Sequence, residues 1–137
     1  MSVGLLIITH DGIGSSMLDA INHMIENSPL KVRFLSTSRE CDPDELLKTA
    51  NEYFDAIDDG DGMLVLTDLI GSTPSNIACR LNIHDKVNII TGINLSMLIR
   101  LFNYPELGLN ELTRKAYSGG IDGITISQGD KKCTKKK

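Results

Sequence analysis

Short runs of consecutive apolar residues alternate along the chain with segments in which apolar residues recur every three or four positions. The clearest runs lie at 5–8 and at 63–66, where Thr67 follows in the same predicted strand. Uninterrupted apolar runs of this length, rich in β-branched residues, are typical of strands buried on both faces of a parallel sheet. The pattern also predicts strands at 32–36 and 87–91, and a fifth strand that contains Ile121, Ile124 and Ile126.

The intervening segments have the periodicity of amphipathic helices. The predicted helices cover residues 16–27, 43–57, 73–82, 95–102 and 110–116. Gly119 and Gly120 follow the last of them and are expected to stop it.

Residues at the predicted helix starts are of the capping type. Ser16 with Asp19 resembles a capping box, and Asp42 and Thr73 each stand directly before a proline. Asn110 is the expected cap of the last helix. These residues therefore predict where each helix begins.

Strands that alternate with helices through short connections predict an α/β fold. We expect a doubly wound, mainly parallel β-sheet with helices on both faces and, because crossovers are right-handed, the strand order 2-1-3-4. A length of 137 residues suits one domain, placed at 1–128. The Lys-rich segment 129–137 is expected to be a disordered tail.

Charge is unevenly distributed along the chain. Five of the 14 basic residues are lysines within the last seven positions, so residues 1–130 keep nine basic against 18 acidic residues, a net charge of −9. An acidic body argues against nucleic acid as a partner, because Lys and Arg dominate the binding of phosphates. It favours basic surfaces on protein partners.

Cysteine spacing and the N-terminal sequence indicate a cytoplasmic protein without metal or cofactor. Cys41, Cys79 and Cys133 have neither Cys-x-x-Cys nor zinc-like spacing and are expected to be reduced thiols. The acidic turn at 58–62 lacks the ligand spacing of a calcium loop. The pattern of a signal peptide is missing, and no apolar run approaches the roughly 20 residues that span a bilayer.

Two ionisable side chains follow strands that are neighbours in the predicted order. His10 ends the first strand and Asp68 follows the third. Neighbouring strands lie about 4.8 Å apart, so the two side chains come within hydrogen-bonding reach. A carboxylate that accepts from one ring nitrogen leaves the other nitrogen's lone pair free, which makes the imidazole an oriented nucleophile.

The start of the predicted third helix favours an anion beside this pair. Unpaired backbone N–H groups and the positive end of the helix dipole point into the same crevice. Gly71 permits close backbone approach, and Ser72 and Thr73 add hydroxyl donors. Asn94, in the loop after the fourth strand, is a further candidate for lining the crevice. The combination favours phosphoryl transfer through a phosphohistidine.

Three segments resemble the signature segments of the mannose-family IIA domains of the bacterial phosphotransferase system. They are Leu5-Leu6-Ile7-Ile8-Thr9-His10 with Gly12, residues 66–76 and residues 91–98. The resemblance implies that His10 accepts a phosphoryl group from phospho-HPr and passes it to a IIB protein during sugar uptake. It also implies that Asp68 orients His10, that Thr9 and Gly12 belong to the phosphoryl-binding set, and that a homodimer exchanges the last strand, at 121–127.

This chain departs from the family pattern in three places. Asp11 stands where glycine is common, Ser96 stands where proline is common, and Gly71-Ser72-Thr73-Pro74 replaces a Gly-Gly-Ser-Pro turn. Thr73 keeps the hydroxyl, so we expect the site to be intact. The charge of Asp11 is expected to weaken a phosphohistidine or slow its formation.

Other functions are compatible with parts of this pattern. A regulatory switch whose phosphorylation controls a protein partner would use the same His10 chemistry. A receiver-like domain phosphorylated on Asp68 is disfavoured, because only Asp11 is acidic after the first strand and no lysine directly follows the fifth. A histidine phosphatase is disfavoured because no arginine precedes His10.

Overall fold

The chain alternates strands and helices in the order that the hydrophobic pattern predicts. The computed structural model describes residues 2–25, 30–81 and 84–129. Within these ranges the elements are β1 (Gly4–His10), α1 (Ile13–Asn22), β2 (Val32–Thr37), α2 (Pro43–Ile57), β3 (Met63–Thr67), α3 (Thr73–Arg80), β4 (Val87–Thr91), α4 (Leu95–Phe102) and α5 (Leu109–Asp122). Apart from Gly129, the predicted tail lies outside the described residues.

The four strands form one parallel sheet in the order β2-β1-β3-β4. This confirms the predicted class and strand order. His10 is in register with Thr37 of β2, and Ile8 is in register with Thr67 of β3. The carboxyl ends of three neighbouring strands therefore meet at one edge of the sheet, with His10 on the middle strand.

Both faces of the sheet are covered by helices, as a doubly wound fold requires. On β1, Leu5 and Ile7 pack with residues of α1, α4 and α5, whereas Leu6 and Ile8 pack with residues of α2 and α3. All four side chains are at most 1% exposed. Burial of such a side chain stabilises a fold by about 1.5–3 kcal/mol, so β1 is an anchored support for the residue at its carboxyl end.

Helix α1 begins earlier than predicted. Its first residue is Ile13 after Gly12, and Ser16 and Asp19 lie inside the helix, so the predicted capping box is wrong. The cap comes from the preceding strand instead, because the Oγ1 of Thr9 accepts the N–H of Gly14 at 2.8 Å. The helix ends at Asn22, ahead of the predicted end; residues 26–29 lie outside the described part.

The starts of α2 and α3 are close to their predicted positions. Asp42 is the N-cap of α2 and its carboxylate accepts the N–H of Asp44 at 3.1 Å, which confirms that prediction. In α3 the N-cap is Ser72, and Thr73 is the first helical residue, so the predicted cap was one residue late. Residue 82, the predicted end of α3, lies outside the described residues.

Helix α5 overturns three predictions about the C-terminal part of the chain. It begins at Leu109, not after an Asn110 cap, and continues through Gly119 and Gly120 to Asp122. Those glycines give space to α4, since a Cβ at Gly119 would lie 2.5 Å from the Cβ of Arg100. The predicted fifth strand is not formed within the described chain. Ile121 lies in α5, residues 124–128 are not in a strand, and β4 is the last strand of the sheet.

The described helices are all too short or too polar to cross a membrane.

Candidate functional site

His10 and Asp68 form a hydrogen-bonded pair at the carboxyl edge of the sheet. The Nδ1 of His10 lies 2.9 Å from the Oδ2 of Asp68, as the predicted strand order requires. The same Oδ2 accepts the backbone N–H of His10 at 3.0 Å. An ionised carboxylate can only accept, so Nδ1 carries the proton and Nε2 keeps its lone pair.

The Asp68 carboxylate is well suited to remain ionised. Its side chain is only 13% exposed. Burial raises the pKa of Asp68, but the hydrogen bonds from the backbone and imidazole of His10 outweigh it, and the resulting pKa lies below the ordinary value of 3.8. The Oδ1 atom also accepts the N–H of Leu69 at 2.9 Å, so both carboxylate oxygens are held.

Nε2 is the ring nitrogen that remains available for chemistry. The His10 side chain is 42% exposed, and among the described residues none hydrogen-bonds Nε2. An imidazole held on one side by a carboxylate and open on the other is an oriented nucleophile. The pair can therefore attack an electrophilic centre that reaches it from solvent.

The backbone turn after His10 is tied to β2. Asp11 donates its N–H to the carbonyl of Thr37 at 2.8 Å, and the Thr37 hydroxyl lies 3.4 Å from the carbonyl of Thr9. Asp11 has a φ of 39°, in the left-handed region that glycine adopts most easily. Aspartate is among the few other residues that tolerate this region, so the turn keeps its shape without glycine.

An open crevice of about 610 Å³ lies in front of His10. It is lined by the following residues from three strand ends: His10, Asp11, Thr37, Ser38, Arg39, Glu40 and Thr73. Thr73 opens α3, whose first-turn N–H groups have no acceptor within the helix and form a positive end. The crevice therefore combines a nucleophile with a helix end that favours an anion.

The other predicted phosphoryl-binding residues stand around this centre in different roles. Thr9 is buried and caps α1, and Gly12 is the N-cap position of the same helix. Gly71 has a φ of +78°, which turns the loop toward α3. The hydroxyl of Ser72 donates to the carbonyl of Leu69 within that loop.

Asn94 is placed further along the sheet edge and has two structural partners. Its Oδ1 accepts the N–H of Met97 at 2.8 Å and so caps α4, and its Nδ2 donates to the carbonyl of Gly120 at 3.1 Å. Both ends of the amide thus join α4 to α5. Its participation in phosphoryl binding stays a prediction.

Four residues that line the crevice were not predicted from the sequence: Thr37, Ser38, Arg39 and Glu40. All four belong to the end of β2 or the loop after it, and β2 is the neighbour of β1 in the predicted order. The rule that ligands bind beyond the carboxyl ends of strands applies to β2 as much as to β3. Applying it to every neighbour of β1 would have pointed to the loop after β2, but not to the individual side chains that line the crevice.

In the described ranges no group of three or more His, Cys, Asp or Glu side chains is placed to hold a metal ion.

The fold and the site together define a doubly wound α/β domain with a histidine-carboxylate pair at the edge where the strand order reverses. The profile of the EIIA-man family, described as the PTS system fructose IIA component, matches residues 4–116. The chain therefore belongs to the family of IIA components of the phosphotransferase system.

Solved structures share this fold at low sequence identity. The mannose/sorbose specific IIA subunit of Enterococcus faecalis has a TM-score of 0.83 at 20% identity and covers 97% of this chain and 100% of its own. The PTS IIA protein associated with the fucose utilization operon of Streptococcus pneumoniae has a TM-score of 0.66 at 26% identity, with 86% and 93% covered. A sigma-54 interaction domain protein of Enterococcus faecalis has a TM-score of 0.72 at 14% identity, with 88% and 92% covered.

Proposed function

We propose that this chain is a phosphocarrier whose acceptor atom is the Nε2 of His10. The observation that carries the proposal is the 2.9 Å hydrogen bond between Nδ1 of His10 and Oδ2 of Asp68. It fixes the tautomer in which Nε2 is nucleophilic, in a chain that belongs to a family of IIA components.

The proposed step is an exchange of one phosphorus bond for another. The Nε2 lone pair attacks the phosphorus of phospho-HPr, and an Nε2–P bond forms as the donor's bond to phosphorus breaks. The electron pair of the broken bond stays on the donor atom. The Nδ1 proton remains between His10 and Asp68, whose carboxylate stabilises the positive charge that the phosphorylated ring acquires. A nucleophilic atom of the IIB protein then attacks the same phosphorus, and the Nε2–P bond breaks with its electron pair returning to Nε2.

The phosphoryl oxygens are proposed to lie at the start of α3. Thr73 supplies a hydroxyl and the positive helix end from within the crevice. Gly12 shapes the turn between His10 and α1, and Gly71 and Ser72 shape the loop before α3. Thr9 holds the start of α1 through its bond to Gly14. Asn94 is the most remote member of the proposed set.

The proposed partners are HPr as donor and a separate IIB protein as acceptor, in sugar uptake. Family membership supports this assignment, as does the acidic body of the chain, which suits basic surfaces on partners. A regulatory switch is the second candidate. It is favoured by the shared fold of the sigma-54 interaction domain protein. Transfer of label from the phosphorylated chain to a IIB protein distinguishes the two functions.

The acceptor atom can be tested by intact-mass measurement after incubation with phosphoenolpyruvate, enzyme I and HPr. We expect one acid-labile phosphoryl group on the wild type, none on His10→Ala and a reduced but detectable amount on Asp68→Asn. His23→Ala is the matched control, because His23 lies at the end of α1 with its Nδ1 bonded to the Asp19 carbonyl. Full phosphorylation of His10→Ala would contradict the proposal.

We also propose that the protein acts as a homodimer in which residues 124–127, which follow α5, reach the other subunit. Within one chain, Ile124 and Ile126 are 73% and 93% exposed, and among the described residues no strand pairs with the outer edge of β4. Alternating β-branched and polar residues suit a strand that adds to such an edge.

A further inference from the structure

The charges around the crevice pose a problem for a phosphorylated His10. Asp11 and Glu40 line the crevice, and Asp68 lies behind the imidazole. A phosphoryl group brings nearly two further negative charges into this space. Of the described residues that line the crevice, Arg39 is the one cation.

We infer that Arg39 is a phosphoryl-binding residue that neutralises the phosphoryl group on His10 and offsets the charge of Asp11. The inference rests on the proposed function and adds to it a residue in the loop after β2. The planar guanidinium can donate two parallel hydrogen bonds to phosphoryl oxygens.

The backbone holds Arg39 at a defined place relative to His10. Thr37, two residues earlier, is in register with His10 and accepts the N–H of Asp11 at 2.8 Å. On the other side, the N–H of Cys41 donates to the carbonyl of Ser38 at 3.2 Å, which closes the turn that contains Arg39. The loop is thus anchored on both sides of the arginine.

The guanidinium of Arg39 has no competing partner in the described part of the chain. By contrast, Arg100 pairs with Asp122 at 3.1 Å, and Arg80 lies 3.9 Å from Asp44. Arg39 is exposed at the crevice and makes neither an ion pair nor a hydrogen bond among the described residues. Arg39 is therefore free to pair with the negative charge of a phosphoryl group on His10.

The test is the equilibrium distribution of the phosphoryl group between HPr and this protein. Arg39→Gln is expected to shift the equilibrium constant toward phospho-HPr by roughly 5- to 10-fold, as for a partly exposed hydrogen bond between charged groups. Arg39→Lys should recover part of the loss, and the shift should shrink as ionic strength rises. The unphosphorylated variants should unfold at the wild-type temperature, because Arg39 supports no contact in that state.

Arg33→Gln is the matched control, since it removes the same charge from an exposed position on β2 outside the crevice. Asp11→Asn should move the equilibrium toward the phosphorylated protein, and more strongly in the Arg39→Gln background, where its charge is no longer offset. An equilibrium constant for Arg39→Gln equal to that of Arg33→Gln would overturn the inference while leaving the acceptor role of His10 intact.

Equilibrium and rate measurements separate phosphoryl binding from partner docking. Contacts between Arg39 and HPr would alter the rate of transfer in both directions but not the final distribution. A slower transfer with an unchanged equilibrium would therefore also overturn the inference. Absence of labelling on the wild type, or labelling that persists in His10→Ala, would instead defeat the proposed function on which the inference rests.

Discussion

At the scale of single residues, Asp68 joins the chemistry of the site to the stability of the fold. Its carboxylate accepts hydrogen bonds from the backbone and the ring of His10 and from the N–H of Leu69. The bonds to His10 lower the pKa of Asp68 against the opposing effect of burial. A group whose pKa is lower in the folded than in the unfolded chain stabilises the fold above its unfolded pKa.

This linkage predicts an acid-dependent loss of stability. The contribution of Asp68 is complete above the ordinary carboxyl range near 3.8 and disappears as the pH falls through the lower pKa of the folded state. Asp68→Asn should therefore cost about 1–2 kcal/mol at neutral pH and much less at the acid end. Urea unfolding curves recorded from pH 7 down to about pH 2.5 measure this difference.

Asp19→Asn supplies the comparison, since Asp19 is an exposed residue of α1. Its unfolding free energy should follow the wild type across the series. Parallel curves for the wild type and Asp68→Asn would mean that the hydrogen bonds to Asp68 do not lower its pKa.

At the scale of elements, the sequence predicts the bounds of those helices and strands that depend on local hydrophobic pattern. The bounds of β3 and α4 agree with prediction because both are dense apolar runs between breakers. The early start of α1 depends on the hydrogen bond that the N–H of Gly14 donates to Thr9. The capping box predicted at Ser16 and Asp19 does not consider a cap from the preceding strand. The course of α5 through Gly119 depends on contact with Arg100. The first bond spans only five residues but comes from the N-terminal side of the helix, and the second is a contact between two helices.

The packing of α5 on α4 yields a paired prediction for two adjacent glycines. A Cβ at Gly119 would lie 2.5 Å from the Cβ of Arg100 and 3.2 Å from the carbonyl of Ser96. Gly119→Ala should therefore lower the unfolding free energy by about 1–3 kcal/mol, despite the better helix propensity of alanine. Denaturant unfolding at constant pH measures the change.

Gly120→Ala is the control within the same helix. Its Cβ would meet the flexible end of Met97 at 2.9 Å, which can move. The expected change lies between zero and a gain of about 1 kcal/mol. Equal losses for the two variants would show that helix α5 resists any added methyl group, independent of its contact with α4.

At the scale of the whole molecule, the site results from the convergence of strand ends that are distant in sequence. The order 2-1-3-4 was enough to predict that His10 meets Asp68, since both follow neighbouring strands. It was not enough to predict that Arg39 shares the crevice, because a loop's path depends on bonds such as that from Asp11 to Thr37. The sequence therefore predicted the hydrogen-bonded pair of His10 and Asp68 better than the surface around it.

The exposed C-terminal segment supplies a prediction about assembly. If residues 124–127 pair with a second subunit, Ile124 enters an apolar interface, and a lysine at that position carries the cost of burying its charge. Ile124→Lys should weaken the dimer by roughly 10- to 100-fold in dissociation constant. Sedimentation across a concentration series should find twice the chain mass for the wild type and a shift toward the monomer for the variant.

Met24→Lys is the control. It changes another exposed apolar residue, which lies after α1 and is 59% exposed, and it should leave the mass of the dimer unchanged. The exchanged strand is contradicted if the wild type stays monomeric or if Ile124→Lys dimerises with undiminished affinity. In either case the outer edge of β4 would be free to pair with a partner other than a second copy of this chain.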